Sequence, residues 1–258
     1  MAGPGPGRPG GPRRPGGRKG TSDRSSSATT GRRLKQRVVT AKGRSVSSKR
    51  WLERQLNDPY VAAARDRGLR SRAAFKLAEI DDKARFLKPG AVVVDLGAAP
   101  GGWSQIAAER VRAGEGRGRV IALDLAAVDP LPGVTVLQRD FLEPEAVAAL
   151  LQALEGEKAD AVISDMAAPA SGHRQTDHLK IMALCDAALD FARQVLKPGG
   201  TFLCKVLRGG TERELLEGMK RDFAAVRHVK PKASRSDSAE LYVLATGFRA
   251  LGAASHRC

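Results

Sequence analysis

The chain has 258 residues, with 44 Lys and Arg against 28 Asp and Glu, a formal net charge of +16. No stretch approaches the roughly 18 consecutive apolar residues of a membrane-spanning helix. The three cysteines (Cys185, Cys204, Cys258) lack CxxC spacing and the four histidines form no ligand pattern, so neither a structural disulfide nor a metal site is expected, as suits a cytoplasmic protein.

The charge is concentrated at the start. Residues 1–50 hold 14 Lys and Arg against one acid, Asp23, while residues 51–258 carry only +3. Residues 1–47 are rich in Gly, Pro, Ser and Arg, with almost no large apolar side chain before Leu34. Such a segment cannot bury enough surface to offset its ordering entropy, so a disordered arm is expected. It has no apolar core of the secretory type, and its GPGPGRPGGP opening opposes the amphipathic helix of a transit peptide. Two uses stay open: a solubilising extension, or an arm that binds a polyanion through phosphate contacts. One folded domain over residues 48–248 and a short tail, 249–258, complete the expected organisation.

Asp58-Pro59 reads as an N-cap followed by proline in the first helical turn, and Gly68 closes that helix. Ser71 is the expected cap of the next helix, SRAAFKLAEI. Strands are then expected at 91–96, 119–124, 134–138, 160–165, 201–207, 223–229 and 240–246, with helices at 102–112, 144–154 and 177–196 and a Thr211/Glu214 capping box opening one more. The first five strands read as apolar on both faces, as in a parallel sheet covered by helices. The last two are joined by about ten residues without a helix and should be antiparallel. The expectation is an α/β fold: a mostly parallel seven-stranded sheet with an antiparallel last strand and helices on both faces.

The most informative stretch is VVVDLGAAPGGWSQ, where a β-branched run ends in an acid and turns through Gly97, Gly101 and Gly102. In a doubly wound sheet this first strand-to-helix turn borders the ligand. The spacing is not the GxGxxG of a dinucleotide site, and Asp95 would repel a phosphate. A carboxylate here suits a cationic amine, such as the methionine part of S-adenosylmethionine. Asp124, at the end of the second strand, can accept hydrogen bonds from both ribose hydroxyls, and Asp140, after the third, is placed to reach adenine. Trp103 can pack against the methionine portion or anchor its helix.

The acceptor is addressed by four charged residues. Asp165 ends the fourth strand in VISDMAAPASG, where amine methyltransferases carry an Asn/Asp-Pro-Pro-aromatic turn. Lys205 lies in the apolar strand FLCKV, Lys76 in SRAAFKL, and Glu240 precedes the last strand. Such a set suits an alcohol acceptor: a lysine whose basicity is lowered by burial and by a second ammonium could take the proton of a ribose 2′-hydroxyl, with Asp165 orienting it.

In order and spacing, GLRSRAAFKLAEI, VVDLGAAPGGWSQ, ISDMA…SG, LKPGG…CKV and KPKASRSDSAELYVLATG resemble the FtsJ/RrmJ family from about Ser48 to Gly247. The resemblance implies a class I S-adenosylmethionine-dependent methyltransferase (Rossmann-like) fold. It implies 2′-O-methylation of a uridine in the A loop of 23S rRNA, with the assembled or nearly assembled 50S subunit as substrate. Lys76, Asp165, Lys205 and Glu240 would form the catalytic tetrad, with Lys205 the proton acceptor. Asp95, Gly97, Gly101, Trp103, Asp124, Asp140 and Asp165 would hold the cofactor. The family usually reads DMAPNxSG where this chain has Ala168 and Pro169 in place of Pro-Asn.

Partner expectations follow. From Lys49 to Lys76 stand eight Lys and Arg against three acids, and Lys230, Lys232 and Arg235 precede Glu240. Aromatic residues make up only 4% of the chain, so RNA recognition is expected to use phosphate and shape more than base stacking. A monomer is expected. Alternatives are a tRNA ribose 2′-O-methyltransferase and an RNA-binding assembly factor whose methyl transfer is dispensable.

Overall fold

The computed structural model describes residues 1–3, 5, 46–169, 171–208, 212–236 and 238–250. Most of the basic arm, nearly all of the 249–258 tail, Cys258 and Thr211 of the expected capping box lie outside the described residues.

Seven β-branched or apolar runs build one sheet: β1 (Val92–Leu96), β2 (Arg119–Asp124), β3 (Val134–Gln138), β4 (Ala159–Ser164), β5 (Leu196–Leu207), β6 (Phe223–Val229) and β7 (Glu240–Phe248). Their order is β3-β2-β1-β4-β5-β7-β6. The first five pair in parallel, and β7 slots between β5 and β6 antiparallel to both. The order reverses between β1 and β4, the switch point where doubly wound sheets bind ligands beyond the strand ends.

Helices α1 (Val46–Leu56), α2 (Pro59–Asp66), α3 (Ala73–Ala84), α4 (Gly102–Val111), α5 (Pro144–Leu154), α6 (Arg174–Val195) and α7 (Glu212–Asp222) complete the chain. On one face of the sheet Leu150, Phe191, Leu189 and Met219 pack over Val94, Ile121 and Phe202. On the other, Leu77 and Ile80 of α3 and Ile106 of α4 cover Val93, Ile163 and Leu203. Each such large apolar side chain contributes about 1.5–3 kcal/mol on burial, so the two layers hold the strand ends, and everything mounted on them, in fixed register.

Several local expectations need correction. β3 is not buried on both faces: it is an edge strand, with Thr135 and Gln138 exposed. β5 begins at Leu196, because Lys197-Pro198-Gly199-Gly200 extends the strand through an irregularity opposite Ala159 and Ala161. Asp58 caps α2 as expected, its Oδ1 accepting from the Tyr60 amide at 3.0 Å. Ser71 caps nothing: the residue before α3 is Arg72, and the buried Ser71 hydroxyl has no partner and sits against Gly102. α1 was not foreseen from the sequence.

The turn after β1 is held against the turn after β4 at Gly97, which has φ +78° and whose added Cβ would lie 2.7 Å from Cα, N and Cγ of Met166. Gly116 has a similar φ of +69° but open space around it. Gly97→Ala is therefore expected to destabilise by about 2–4 kcal/mol, joining left-handed strain to a backbone clash. Gly116→Ala should lose only the roughly 1–2 kcal/mol of strain. Urea denaturation of the two variants measures the difference.

Candidate active site

A cavity of about 420 Å³ opens at the carboxyl ends of β2, β3 and β4, with Asp124, Asp140, Phe141, Leu142 and Met166 among its walls. Asp124 organises this end of the sheet. Its Oδ2 accepts from the Ala99 amide in the glycine turn and its Oδ1 from the Ala126 amide, both at 2.8 Å. Each oxygen keeps a second lone pair for a ligand hydroxyl. Asp140 Oδ1 accepts from the Leu142 amide at 3.0 Å. The glycine turn is itself fixed by the Gly97 and Ala98 amides, which donate to the Leu123 carbonyl at 2.9 and 3.2 Å.

Asp95 lies deeper, fully buried in β1. The Ser104 hydroxyl donates to its Oδ2 at 2.6 Å, while its Oδ1 is buried without a partner. Burial, reinforced by the negative charges of Asp165 and Asp124 and opposed by Ser104, pushes its carboxyl up to about 7. A carboxyl with one idle oxygen beside the glycine turn, and a mostly apolar cavity with two carboxylates at its rim, fit a ligand with an amine, a ribose and a flat base. S-adenosylmethionine is such a ligand.

Trp103, expected near the cofactor or as an anchor, does not line this cavity. It is buried with its indole N–H donating to the Ala73 carbonyl at 2.9 Å and its ring 5.5 Å from that of Tyr242. Its contacts are those of an anchor between α3, α4 and β7. Gly101 lies beneath Arg70, whose guanidinium donates to the carbonyls of Asp129 (2.6 Å), Pro130 (2.8 Å) and Pro100 (3.4 Å). Arg70, counted from sequence among the RNA-facing cations, thus straps the glycine turn to the β2–β3 loop.

The four charged residues expected around the acceptor converge. Lys205 Nζ donates to the backbone carbonyl of Asp165 at 2.6 Å and lies 3.2 Å from its Oδ1. Lys76 Nζ, from α3, donates to Glu240 Oε2 at 3.2 Å. A fifth residue, missed from the sequence, joins the two pairs: the Tyr242 hydroxyl accepts from Lys76 Nζ at 3.0 Å and donates to Asp165 Oδ1 at 2.8 Å. Burial first, then Asp165 and Glu240, raise the Tyr242 phenol well above 10, so it stays a neutral bridge. The expected approach of a second ammonium to Lys205 takes a different form. A phenol and a carboxylate stand between Lys205 and Lys76, because Lys205 and Tyr242 face each other directly in the β5–β7 pair.

Beyond Lys76 and Glu240 lies a second cavity, about 340 Å³, lined also by Arg54, Arg72 and Arg235. Arg72 and Arg235 both reach Asp58 Oδ2, at 3.0 and 3.4 Å. Lys76 and Glu240 thus line the strongly cationic cavity, while the wall of the first cavity begins at Met166, the residue after Asp165.

Residues 69–248 match the family model of the FtsJ-like methyltransferases. The chain belongs to the FtsJ-like methyltransferase family. It is 63% identical over 238 residues to the ribosomal RNA large subunit methyltransferase E of Parvibaculum lavamentivorans, covering 89% of this chain and 93% of that one. With the enzyme of the same name from Xanthobacter autotrophicus it shares 62% over 219 residues, 85% and 86% of the two chains. Among solved structures, a Plasmodium falciparum protein provisionally described as a ribosomal RNA methyltransferase superposes with a TM-score of 0.62 at 31% identity, over 69% of this chain and 98% of that one. The FtsJ-like chain is a methyltransferase, and S-adenosylmethionine is its methyl donor. No helix among the described residues is long and apolar enough to cross a membrane.

Asp95 gives a pH test. Its carboxyl ionises near 7 when folded but near 3.8 in the unfolded chain. Between those values the folded form keeps a proton that the unfolded form has lost, so stability falls as pH rises through this window, then levels off. At about 1.4 kcal/mol per pH unit, the loss is on the order of 4 kcal/mol. In the ligand-free FtsJ-like protein, Asp95→Asn is expected to flatten the fall in melting temperature between pH 5 and pH 8. An undiminished fall would show that another group titrates there.

Proposed function

We propose that the chain methylates the 2′-hydroxyl of a uridine in the A loop of 23S rRNA, acting on the assembled or nearly assembled large ribosomal subunit. The observation that carries the reading is the linked set Lys205–Asp165–Tyr242–Lys76–Glu240, whose Lys76–Glu240 end lines a cationic cavity and whose Asp165 directly precedes Met166 in the wall of a nucleoside-sized one. The ribosomal RNA large subunit names of its relatives support the substrate class.

S-adenosylmethionine supplies an electrophilic methyl group on a sulfonium. Asp124 would hold the ribose hydroxyls of that cofactor, Asp140 would face its base, and Asp95 would answer its amine. Glycines 97 and 101 let the turn approach closely, and Trp103 acts at one remove by fixing α4. Ala168 and Pro169, where the family usually has Pro-Asn, lie on the cavity wall beside them.

At the acceptor, the 2′-oxygen would attack the methyl carbon as the methyl–sulfur bond breaks and S-adenosylhomocysteine leaves, while Lys205, as the neutral amine, takes the hydroxyl proton. Asp165, already in contact with Lys205, balances the ammonium that forms and orients it. Lys76 and Glu240 position the ribose from the other side, so that reactivity follows from alignment more than from new chemistry. Arg54, Arg72 and Arg235 offer cations to flanking phosphates. In this reading residues 48–248 are the catalytic domain, the basic residues before them are an RNA-binding arm, and the chain works as a cytoplasmic monomer.

The test is genetic and chemical together. Disrupting the gene should abolish 2′-O-methyluridine at the A loop, measured by nucleoside mass spectrometry of 23S rRNA, and wild type should restore it. Replacement by Lys205→Ala should leave turnover on isolated subunits down by about 10²–10⁴, the usual worth of a positioned acid–base group. A methyl that persists without the gene sinks the substrate assignment. Normal turnover by Lys205→Ala removes the lysine from the chemistry.

A further inference from the structure

At the opposite end of the sheet from the catalytic cluster, a cavity of about 560 Å³ is lined by four cations: Arg85 after α3, Lys88 before β1, Lys197 in β5 and Arg227 in β6. Gly199, Gly200 and Thr201 are among its other walls. Its one acid, Asp160, is already committed: its Oδ1 pairs with Lys197, and its Oδ2 accepts from the Val92 amide at 2.9 Å. The next carboxylates, Asp81 and Asp82, are engaged by Arg110 at 3.8 and 2.6 Å. Among the described residues, Arg85, Lys88 and Arg227 have no carboxylate within ion-pair distance, and all three are exposed.

This concentration is not a by-product of a basic chain. From residue 51 onward the protein carries only +3, and other arginines of the domain, such as Arg110, Arg119 and Arg193, sit on carboxylates. Three unpaired cations beside a fourth in one concave site repel one another, and among the described residues the cleft's one carboxylate, Asp160, is taken by Lys197. Bound phosphates would offset that repulsion.

We propose that this cleft binds the phosphodiester backbone of a second RNA segment, distinct from the strand that carries the methylated ribose. From Lys197 to Lys205 along β5 is about 26 Å at 3.3 Å per residue, so the cleft and the catalytic cluster meet RNA at well-separated points. A large folded RNA offers phosphates to both ends of the sheet at once, and two joined contacts raise affinity well above either alone. The proposal rests on the reading of the substrate as ribosomal RNA.

The test uses the full-length triple variant Arg85→Gln/Lys88→Gln/Arg227→Gln, none of whose positions touches the catalytic cluster. Binding to large subunits is measured as a function of salt, alongside methylation kinetics. The expected result is a log–log salt slope flatter by about 2–3, one counterion lost per missing contact. KM for the subunit should rise roughly tenfold or more, with kcat and S-adenosylmethionine affinity unchanged and the melting temperature no lower than wild type, since mutual repulsion is relieved. Wild-type slope and KM in the variant overturn the proposal. So does a variant that binds subunits normally and loses only the thermal stabilisation given to wild type by tripolyphosphate, which makes the cleft a small-anion site. Failure of wild type itself to methylate the subunit overturns the substrate reading and the cleft with it.

Discussion

The site depends on how one carboxylate is held. Asp165 leaves β4 just where the sheet order reverses, and its Oδ1 takes the Tyr242 hydroxyl at 2.8 Å and Lys205 Nζ at 3.2 Å, while its carbonyl takes Lys205 again. Charged groups removed from water are costly unless paired and hydrogen-bonded. Here Lys205 and Lys76 are buried; Lys205 is met by the carbonyl and the carboxylate of Asp165, and Lys76 by Glu240 and Tyr242. Removing Tyr242 or Asp165 would break this chain of contacts in the middle, and its five side chains come from α3, β5, β7 and the turn after β4.

The rest of the fold sets that unit in place. β7 runs antiparallel between β5 and β6, putting Tyr242 opposite Lys205 and Glu240 opposite Leu207. A strand alternates its faces, so Glu240 and Tyr242 project to the same side. The Cys185 thiol of α6 donates to the Lys205 carbonyl at 2.9 Å, pinning the backbone from the other face. Trp103 holds α4 to α3, so the helix that follows the glycine turn and the helix that carries Lys76 move together. The glycine turn and the Lys205–Asp165–Tyr242–Lys76–Glu240 set share these supports.

Much of this was legible in the sequence because strand and turn chemistry are local. β-branched runs such as AVVVDL and RVIALD have few alternatives, and the absence of a helix between the last two strands implied their antiparallel pairing. Lys205 stood out because charge in an apolar strand demands a partner, and Asp165, Glu240 and Lys76 by their places at a strand end, before the last strand and in SRAAFKL. Tyr242 did not: in ELYVLAT it reads as an ordinary aromatic core residue, and its role arises only from the register that sets it against Lys205. Arg70 was hidden similarly, since backbone carbonyls, its actual partners, leave no trace in a pattern of side chains. The exposure of β3 and the extension of β5 through a Pro-Gly turn are decided by neighbours distant in sequence, and the missing Ser71 cap by the close approach of Gly102.

The central claim is that Tyr242 keeps Asp165 and Lys76 in one arrangement. The most direct test is the single-turnover methylation rate of Tyr242→Phe, with S-adenosylmethionine affinity measured in parallel. Loss of a buried hydroxyl that two charged groups share should cost about 1–3 kcal/mol. The expected rate is therefore roughly ten- to a hundredfold lower, with cofactor affinity and KM for RNA within about twofold of wild type. A wild-type rate in the phenylalanine variant would contradict the account.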